Sequence, residues 1–339
     1  MKICYLIDNI NPKHGGGRYA GDLIAAVKKE GYEVTVLEVN SILDTVKVRK
    51  YCKNCDIIHA IDGYPYGVVA ALANIGLTKK VVITVQGTYA VAPLYSFSKA
   101  ALVKWAYKKA DMIVAISRYT KKEILKKVSV QNIEVINHGV YFDEIYKEPI
   151  ESEEKFILSV GGLKYRKGYH ISIPAFALAK KEIPDLKYKI ISGYKDDVYF
   201  GELKKIAARC GVEKDVEFLS GMSDESRNDL YRKAKLFILT SVNENHHFEG
   251  FGLVFLEAAA AGLPVIGTLD NGIEDAVKNN FNGILVPQND IKAAAEALLK
   301  ILKDERWRKE LSLNSFSWAK DNDWSKAGVK YVGVYQSIV

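Results

Sequence analysis

The sequence predicts an α/β protein made of two doubly wound domains, each built on a parallel sheet. Its 339 residues are enough for two domains in the usual range of about 100 to 200 residues each. Apolar runs recur along the chain, and each ends in small or polar residues, as expected of parallel strands that feed a ligand-binding edge. The polar, acidic segment 143–155, which contains Pro149, predicts the linker between the domains.

The first domain is predicted to span residues 1–148 and to open in the order strand, loop, helix, strand. A strand at Lys2–Asp8 leads through a glycine-rich loop at Asn9–Arg18 into a helix at Tyr19–Glu30. Further strands are predicted at residues 33–39, 56–59, 81–85, 111–117 and 133–139. The three glycines before the helix would allow a phosphate to approach backbone N–H groups at its start.

The second domain is predicted to span residues 149–321. A strand at Phe156–Val160 opens it, followed by the loop Gly161–Gly168 and a helix at His170–Lys181. Later strands are predicted at residues 186–192, 216–219 and 236–239, and an amphipathic helix is predicted over residues 290–311.

The most informative stretch is Glu249-Gly-Phe-Gly-Leu-Val-Phe-Leu-Glu257. Its glycines predict a turn, and the leucines and alanines of residues 253–261 predict a helix that stops at Gly262, before a buried strand at Val265–Thr268. The start of such a helix favours an anion, most naturally a phosphate. Because ionised carboxylates only accept hydrogen bonds, the two glutamates suit the hydroxyl groups of a sugar or ribose. The stretch therefore predicts a sugar-nucleotide site.

This stretch, with the following Ala-x-Ala-x-Gly-x-Pro-Val of residues 258–265, resembles the signature of retaining glycosyltransferases of family 4, the glycosyl transferases group 1. The resemblance implies the GT-B fold, in which two Rossmann-like domains face a central cleft. It also implies that the last helix, residues 322–339, crosses back to the first domain, which takes the acceptor side. The expected activity is transfer of a sugar from a nucleoside-diphosphate donor to a hydroxyl acceptor.

The resemblance also assigns roles to residues. Glu249 would contact the transferred sugar and Glu257 the ribose hydroxyls. The loop at 161–168 is similar to the family's Gly-Arg-Leu-x-x-x-Lys-Gly, so Lys167 would hold the diphosphate. The other expected donor-binding positions are backbone positions near the phosphates, namely Gly16, Gly17, Gly161, Gly162, Phe251, Gly252 and Leu253.

Two positions depart from the family pattern. The family's arginine in the 161–168 loop is replaced by Gly162, and Arg166 or Lys164 could supply the missing cation. Many family members have a histidine, thought to touch the donor sugar, where this chain has Gln86. An amide still hydrogen-bonds sugar hydroxyls, so Gln86 and Gly87 are candidates on the acceptor and sugar side. His138 is a further candidate, with a structural role as the alternative.

The net charge of +7 is concentrated in the first domain. Residues 1–150 hold 21 basic and 14 acidic residues, and the segment 79–127 alone holds 11 basic residues against Asp111 and Glu123. Basic residues interleaved with aromatics at 93–109 predict a helix that contacts an anionic membrane or a charged acceptor. The alternative is a solvated helix face with its aromatics in the core. No recognised nucleic-acid motif accompanies the charge.

The sequence favours neither a metal nor a cofactor. Cys52 and Cys55 have metal-ligand spacing and His59 is nearby, but no second pair completes a site, and His246-His247 lacks a partnering carboxylate motif. No apolar run is long enough to span a membrane, and the apolar start is too short for a signal peptide. We therefore expect a cytoplasmic protein, with peripheral contact at the inner membrane face as an option.

The predicted function is a retaining, metal-independent glycosyltransferase that uses a UDP- or GDP-sugar and a glycan or lipid-linked acceptor. Catalysis would depend on Glu249 and Lys167, with neither a protein nucleophile nor a general base assigned. The alternatives are a sugar-nucleotide-binding protein without transferase activity, which the departures at Gly162 and Gln86 favour, and a GT-B epimerase. The sequence identifies neither the base, the sugar nor the acceptor.

Overall fold

The computed structural model describes residues 1–8, 10, 15–146, 150, 152–193 and 196–339. The described chain forms two compact units. The N-terminal unit comprises Met1–Gly139 together with Trp324–Val339, and the C-terminal unit comprises Val140–Asp323. The division therefore falls at residues 139–140 and 323–324, whereas the sequence analysis placed it at 148–149 and 321–322.

The observed division at residues 139–140, which precedes the predicted one in the sequence, has a local cause. Val140 pairs with Asp323 in an isolated parallel bridge, and the N–H of Val140 donates to the carbonyl of Asn322 at 2.9 Å. The N–H of Phe142 donates to the Asp323 carboxylate at 3.0 Å. These bonds tie residues 140–142 to the C-terminal unit. Pro149 of the predicted linker lies outside the described residues.

The N-terminal unit contains a six-stranded, all-parallel sheet in the order β2-β1-β3-β4-β5-β6. The strands are β1 (Lys2–Ile7), β2 (Glu33–Glu38), β3 (Ile57–Ile61), β4 (Lys80–Val85), β5 (Met112–Ala115) and β6 (Ile133–Val135). The helices from the first part of the chain are α1 (Gly15–Lys29), α2 (Thr45–Cys52), α3 (Val68–Ala73), α4 (Thr88–Val91), α5 (Ala100–Lys109) and α6 (Arg118–Leu125).

The C-terminal unit repeats this architecture with the order β12-β11-β10-β7-β8-β9, again all parallel. Its strands are β7 (Phe156–Val160), β8 (Lys187–Ile191), β9 (Val216–Leu219), β10 (Leu236–Ile238), β11 (Val265–Thr268) and β12 (Gly283–Val286). Its helices are α7 (Phe142–Ile145), α8 (Tyr169–Lys180), α9 (Asp197–Arg209), α10 (Asp224–Lys233), α11 (Leu253–Ala260), α12 (Ile273–Ala276), α13 (Ile291–Lys303) and α14 (Glu305–Asp321). The predicted α/β class with two doubly wound sheets is confirmed.

Three predicted elements need correction. The first helix already begins at Gly15, so part of the predicted loop 9–18 is helical; burial of the α1 face that includes Gly17 and Tyr19 offsets the low helix propensity of glycine. Residues 290–311 fall in two helices, because the Asp304 side chain accepts the Trp307 N–H at 2.9 Å and starts α14. Within 93–109 only α5 is α-helical, since residues 92–95 form a 3₁₀ turn.

The last helix, α15 (Trp324–Ile338), packs in the N-terminal unit through a buried polar network. Tyr335 hydroxyl bonds to the Tyr5 hydroxyl and to Nδ1 of His59, both at 2.7 Å. Nε2 of His59 bonds to Oγ1 of Thr84 at 2.8 Å, and Tyr331 hydroxyl bonds to the Tyr19 hydroxyl. Burial lowers the pKa of His59 to about 3. The neutral imidazole thus links α15 to the sheet, and the predicted return of the last helix is confirmed.

Replacing Tyr335 by Phe should lower the free energy of unfolding of the protein by about 1–3 kcal/mol, because two buried polar groups lose a partner. Urea unfolding at neutral pH measures this. Tyr51→Phe is the matched control, since the Tyr51 side chain on α2 is exposed and should leave stability unchanged. Equal stability of the Tyr335→Phe protein would contradict an anchoring role for the network.

Candidate active site

The loop that follows β7 carries three cations of the C-terminal unit, Lys164, Arg166 and Lys167. Residues 165–167 form a 3₁₀ turn that ends at Gly168, with a φ of +72°. A Cβ on Gly168 would lie 1.7 Å from the Thr240 carbonyl oxygen, so only glycine fits this approach. The Thr240 hydroxyl donates to the Gly168 carbonyl at 2.7 Å, and the Val242 N–H donates to the Arg166 carbonyl at 2.8 Å. The end of β10 thereby fixes Arg166 and its neighbour Lys167.

Glu249 lies in the segment between β10 and α11 and is held by its backbone. Its carbonyl accepts the Gly272 N–H at 2.8 Å, and a Cβ on Gly272 would lie 1.9 Å from the Gly250 carbonyl oxygen. Gly252, at φ +85°, is the N-cap of α11. Without a side chain, it leaves the helix start to a ligand rather than to a capping group.

Glu249 is the centre of an ion cluster. Its Oε2 accepts a hydrogen bond from Nζ of Lys167 at 2.5 Å and from Nη1 of Arg166 at 3.1 Å. The side chains of Glu249 and Lys167 are only 11% and 13% exposed, so solvent screens the contact little. We call Arg166, Lys167 and Glu249 the ion cluster.

Electrostatics fix the charge of Glu249. Burial alone would raise its pKa, but the charges of Lys167 and Arg166 and their hydrogen bonds lower the pKa from 4.5 to about 2. Burial lowers the pKa of Lys167 below its usual 10.5, and the charge of Glu249 offsets part of this lowering. With Glu249 ionised and both cations charged, the ion cluster carries a net charge of +1 in a largely buried place.

The second glutamate of the stretch, Glu257, lies inside α11 and is 3% exposed. One of its oxygens accepts the Tyr231 hydroxyl at 3.2 Å. Phe251 is also buried, at 1% exposure, so its side chain belongs to the core. The contact of Glu257 with a ribose, and of the backbone at Phe251, Gly252 and Leu253 with a diphosphate, stay predictions.

The remaining glycine positions of the C-terminal unit frame the ion cluster. Gly161 follows β7, and its carbonyl accepts the Tyr169 hydroxyl at 2.8 Å, which ties the loop to the start of α8. Gly162 leaves the family's arginine position without a cation. Arg166, the predicted substitute for that cation, contacts Glu249, a pairing that the sequence analysis did not foresee.

The predicted residues of the N-terminal unit fall into two places. Gly16 and Gly17 lie in the first turn of α1, and Gln86 directly follows β4. A Cβ on Gly16 would lie 4.0 Å from Oε1 of Gln86, so these two positions adjoin, and Gly87 follows at φ +59°. His138 is buried and packs on Tyr19, with ring centroids 4.4 Å apart, an environment typical of a structural residue.

One polar residue at this sheet edge was missed. Asp62 directly follows β3 and is 6% exposed, with a φ of +104°. The signal was present in the sequence, because polar residues at the carboxyl ends of parallel strands are the places where ligands bind. The sequence analysis ended this run at His59, three residues before Asp62.

The cysteines and histidines have ordinary surroundings. Cys4, Cys52 and Cys55 are buried free thiols. Of the two ring nitrogens of His59, Nδ1 bonds to Tyr335 and Nε2 bonds to Thr84. Among the described residues, no group of three or more His, Cys, Asp or Glu side chains is arranged to hold a metal ion. Within the same residues, every helix is too short or too polar to cross a membrane.

Comparison with known families matches both units. A model of the family Glycosyl transferases group 1 matches residues 142–318, which are 177 of the 339 residues. A model of Glycosyltransferase Family 4 matches residues 37–144. The first match covers the loop at 161–168 and the whole ion cluster.

Individual proteins agree with these matches. The chain is 27% identical to an uncharacterized glycosyltransferase, MJ1178, of Methanocaldococcus jannaschii, over 84% of this chain and 76% of the relative. It is 24% identical to the GDP-mannose-dependent alpha-(1-6)-phosphatidylinositol monomannoside mannosyltransferase of Mycolicibacterium smegmatis, over 89% of this chain and 83% of the relative. The crystal structure of Anabaena HepE in complex with UDP-glucose superposes with a TM-score of 0.82 at 19% identity, covering 99% and 100% of the two chains.

The two doubly wound sheets and the structural likeness define the GT-B fold. The model of the Glycosyl transferases group 1 family matches more than half of the chain, and the protein therefore belongs to this family. The alternative of a binding protein without transferase activity is thereby set aside.

The ion cluster predicts a pH dependence of stability. The pKa of Glu249 is lower in the folded protein than in the unfolded chain, so its contribution is present above pH 4.5 and is lost as the pH falls toward 2. Glu249→Gln should therefore destabilise the protein by about 3 kcal/mol at pH 5 to 7, and by progressively less at pH 4 and 3.

Urea unfolding at these pH values measures the difference between wild type and variant. Glu244→Gln is the control, because Glu244 is an exposed residue of the same segment and its replacement should have a small, pH-independent effect. A Glu249→Gln effect that is constant from pH 3 to 7 would contradict the depressed pKa.

Proposed function

We propose that this glycosyltransferase moves a sugar from a UDP- or GDP-sugar to a hydroxyl acceptor with retention of anomeric configuration and without a metal ion. The observation that carries the proposal is the ion cluster of Arg166, Lys167 and Glu249. It combines, in one largely buried place, two cations for a diphosphate and a carboxylate for sugar hydroxyls. The start of α11, four residues after Glu249, adds the positive end of a helix dipole.

The cations suit the departing diphosphate. When the bond between the anomeric carbon and the diphosphate oxygen breaks, negative charge grows on that oxygen, and fixed positive groups lower the barrier most where water is excluded. Lys167 is largely buried and Arg166 is 25% exposed. In this account Arg166 supplies the cation of the family's arginine, whose position in this chain is occupied by Gly162. The two cations also supply the charge that a divalent metal provides in other transferases.

The state of Glu249 argues against two other mechanisms. A carboxylate with a pKa near 2 is a weak base and a weak nucleophile. Glu249 is better suited to accept a hydrogen bond from a hydroxyl of the transferred sugar and to position it. This supports a reaction in which the acceptor oxygen bonds to the anomeric carbon on the face that the diphosphate leaves. The acceptor proton then passes to the departing diphosphate oxygen.

Two relatives support the choice of donors. One is described as GDP-mannose-dependent, and another was crystallised with UDP-glucose. The proposed contacts of Glu257 with the ribose and of Gly16, Gly17 and Gly161 with the phosphates apply to either nucleotide. A GT-B epimerase would convert the sugar nucleotide into its epimer without transferring the sugar to an added acceptor, so product analysis separates the two reactions.

For the acceptor side we propose peripheral contact with an anionic membrane. In the segment 79–127 both acidic residues are paired with lysines of the same segment, Asp111 with Lys80 at 3.1 Å and Glu123 with Lys126 at 2.5 Å. Basic residues exceed acidic ones by nine in this segment, and Lys99 and Lys127 lie over tyrosine rings. The excess positive charge would attract anionic lipids.

Aromatic exposure supports this contact. Tyr107 is buried in the core, as the solvated-face alternative expects, but the Phe97 side chain is fully exposed and Leu102 on α5 is 39% exposed. Lys108 and Lys109 are exposed at the end of α5. Exposed apolar side chains on a basic segment are typical of interfacial segments. A cytoplasmic location at the inner membrane face remains a prediction that accompanies this proposal.

Glu249→Ala should lower donor turnover at least a hundredfold while nucleoside-diphosphate affinity changes less than fivefold, because Glu249 would contact the sugar and not the nucleotide. Lys167→Ala should weaken both. Calorimetry with UDP, GDP, ADP and dTDP, followed by release of nucleoside diphosphate from their sugars with and without EDTA, measures this. Lys181→Ala is the control for loss of an exposed lysine of the same unit.

Turnover in the Glu249→Ala protein equal to that of wild type would contradict the proposed contact of Glu249 with the sugar. A requirement for divalent metal, seen as loss of turnover in EDTA, would contradict the metal-independent proposal. Inversion of the anomeric configuration in the product would contradict retention.

Replacing both Phe97 and Leu102 by Ser should weaken binding to vesicles of phosphatidylglycerol and phosphatidylcholine about tenfold, because less apolar surface enters the interface. Vesicle co-sedimentation measures this, and added salt should weaken wild-type binding as well. Tyr51→Ser, an exposed aromatic on α2, is the control. Equal wild-type binding to purely phosphatidylcholine vesicles, or no binding to either kind, would contradict the proposal.

A further inference from the structure

Asp62 joins the ends of two neighbouring strands in the N-terminal unit. It follows β3, and its N–H donates to the Thr84 carbonyl of β4 at 2.8 Å. Its carboxylate accepts the Gly63 N–H at 2.9 Å and also accepts the backbone N–H of Gln86. Gln86 is the residue that directly follows β4. The Asp62 side chain therefore determines where the chain leaves β4.

The backbone of Asp62 is held in an unfavourable conformation. Its φ of +104° with ψ of 162° lies in a region that residues other than glycine rarely occupy. Such strain persists only where the surroundings over-determine it. The surroundings here include Tyr107, whose hydroxyl would lie 2.1 Å from a Cβ on Gly63 and donates to the Ala90 carbonyl at 3.0 Å. The turn at Asp62–Gly63 is thus locked against α5.

Gln86 depends on this turn for its direction. The next residue, Gly87, has a φ of +59° and a ψ of −126°, so the chain bends sharply where Gln86 ends. The amide oxygen of Gln86 lies beside Gly16 at the start of α1, and the residue is half-buried. The hydrogen bond between the Gln86 N–H and Asp62 holds the backbone from which this side chain extends.

We propose that Asp62 is a positioning residue that orients Gln86 toward a hydroxyl of a sugar substrate at this edge of the N-terminal sheet. The inference rests on the proposed transferase function and deepens its sugar side. Asp62 acts by holding the backbone of Gln86, because its carboxylate accepts the N–H groups of Gly63 and Gln86. The Gln86 amide then offers both a donor and an acceptor to the sugar, where many family members offer an imidazole.

The surroundings of Asp62 give this role a pH signature. Burial raises the pKa of Asp62 from 3.8 to about 7, against the opposing effect of the Gly63 and Gln86 N–H groups. The titratable groups that act on it are Asp8 after β1, Tyr66 in the following turn and Tyr107 on α5. The ionised carboxylate accepts the two N–H groups best, so protonation below about pH 7 weakens the hold on Gln86.

The test is a double-mutant cycle on the sugar-nucleotide that wild type turns over best in the donor panel, with water as the acceptor. Asp62→Asn should lower kcat/KM tenfold to a hundredfold while affinity for the bare nucleoside diphosphate stays within twofold. In a Gln86→Ala background the same substitution should change kcat/KM less than twofold, because the side chain it orients is gone. The rise of wild-type kcat/KM near pH 7 should be absent in Asp62→Asn.

Asp56→Asn is the matched control. Asp56 lies just before β3 and also accepts a backbone N–H across strands, that of Lys2 at 2.8 Å, so its replacement should leave kcat/KM within twofold. Hydrogen exchange of residues 84–89 gives a second readout, and it should speed up in Asp62→Asn but not in Asp56→Asn.

The outcomes are distinct. An equal loss of kcat/KM in both backgrounds, or unchanged activity in Asp62→Asn, would overturn the positioning role while leaving the transferase function standing. Absence of turnover in wild type with every donor would overturn the proposed function and, with it, this inference.

Discussion

The sharing of one carboxylate between two cations is the interaction on which the C-terminal unit's site depends. Burying the charge of Glu249 without partners would cost free energy. Without Glu249, the neighbouring charges of Arg166 and Lys167 would repel each other. The contact joins positions 83 and 82 residues apart in the sequence. It exists because two glycines, Gly168 and Gly272, allow backbone segments to approach at distances that exclude a Cβ. Glycine is therefore needed at positions 168 and 272 because the contact of Glu249 with Arg166 and Lys167 depends on these close approaches.

Much of the fold follows from local pattern. The bounds of β9 and β11 agree with the predicted strands, because short apolar runs between polar turns and glycines leave little freedom in a buried parallel sheet. The errors come from residues whose local conformational preference is overridden by packing, or whose residue type suits two different positions in a helix. Glycines at the start of α1 are poor helix formers that burial rescues. Asp304 reads as one more polar position of an amphipathic helix, yet its side chain starts a new one.

The candidate site was predictable where its residues are close in sequence. Glu249, Glu257 and Lys167 stand in contiguous motifs, so the pattern was sufficient to propose them. The pairing of Arg166 with Glu249 and the hold of Asp62 on Gln86 were not predictable, because both depend on how segments from different strands approach. In each case the sequence contains the right residue types but not the distance between them. Whether a cation faces a phosphate or a carboxylate is set by that distance.

The buried network on α15 has a consequence for how the protein is made. Synthesis proceeds from the N-terminus, and domains generally fold as units in that order. Here Tyr5, His59 and Thr84 belong to the first strands, whereas their partners Tyr331 and Tyr335 are synthesised only after the whole C-terminal unit. The C-terminal unit, Val140–Asp323, is contiguous and emerges complete beforehand. The unit that begins first is thus completed after the other one, and a nascent chain keeps an unfinished polar core until α15 has been made.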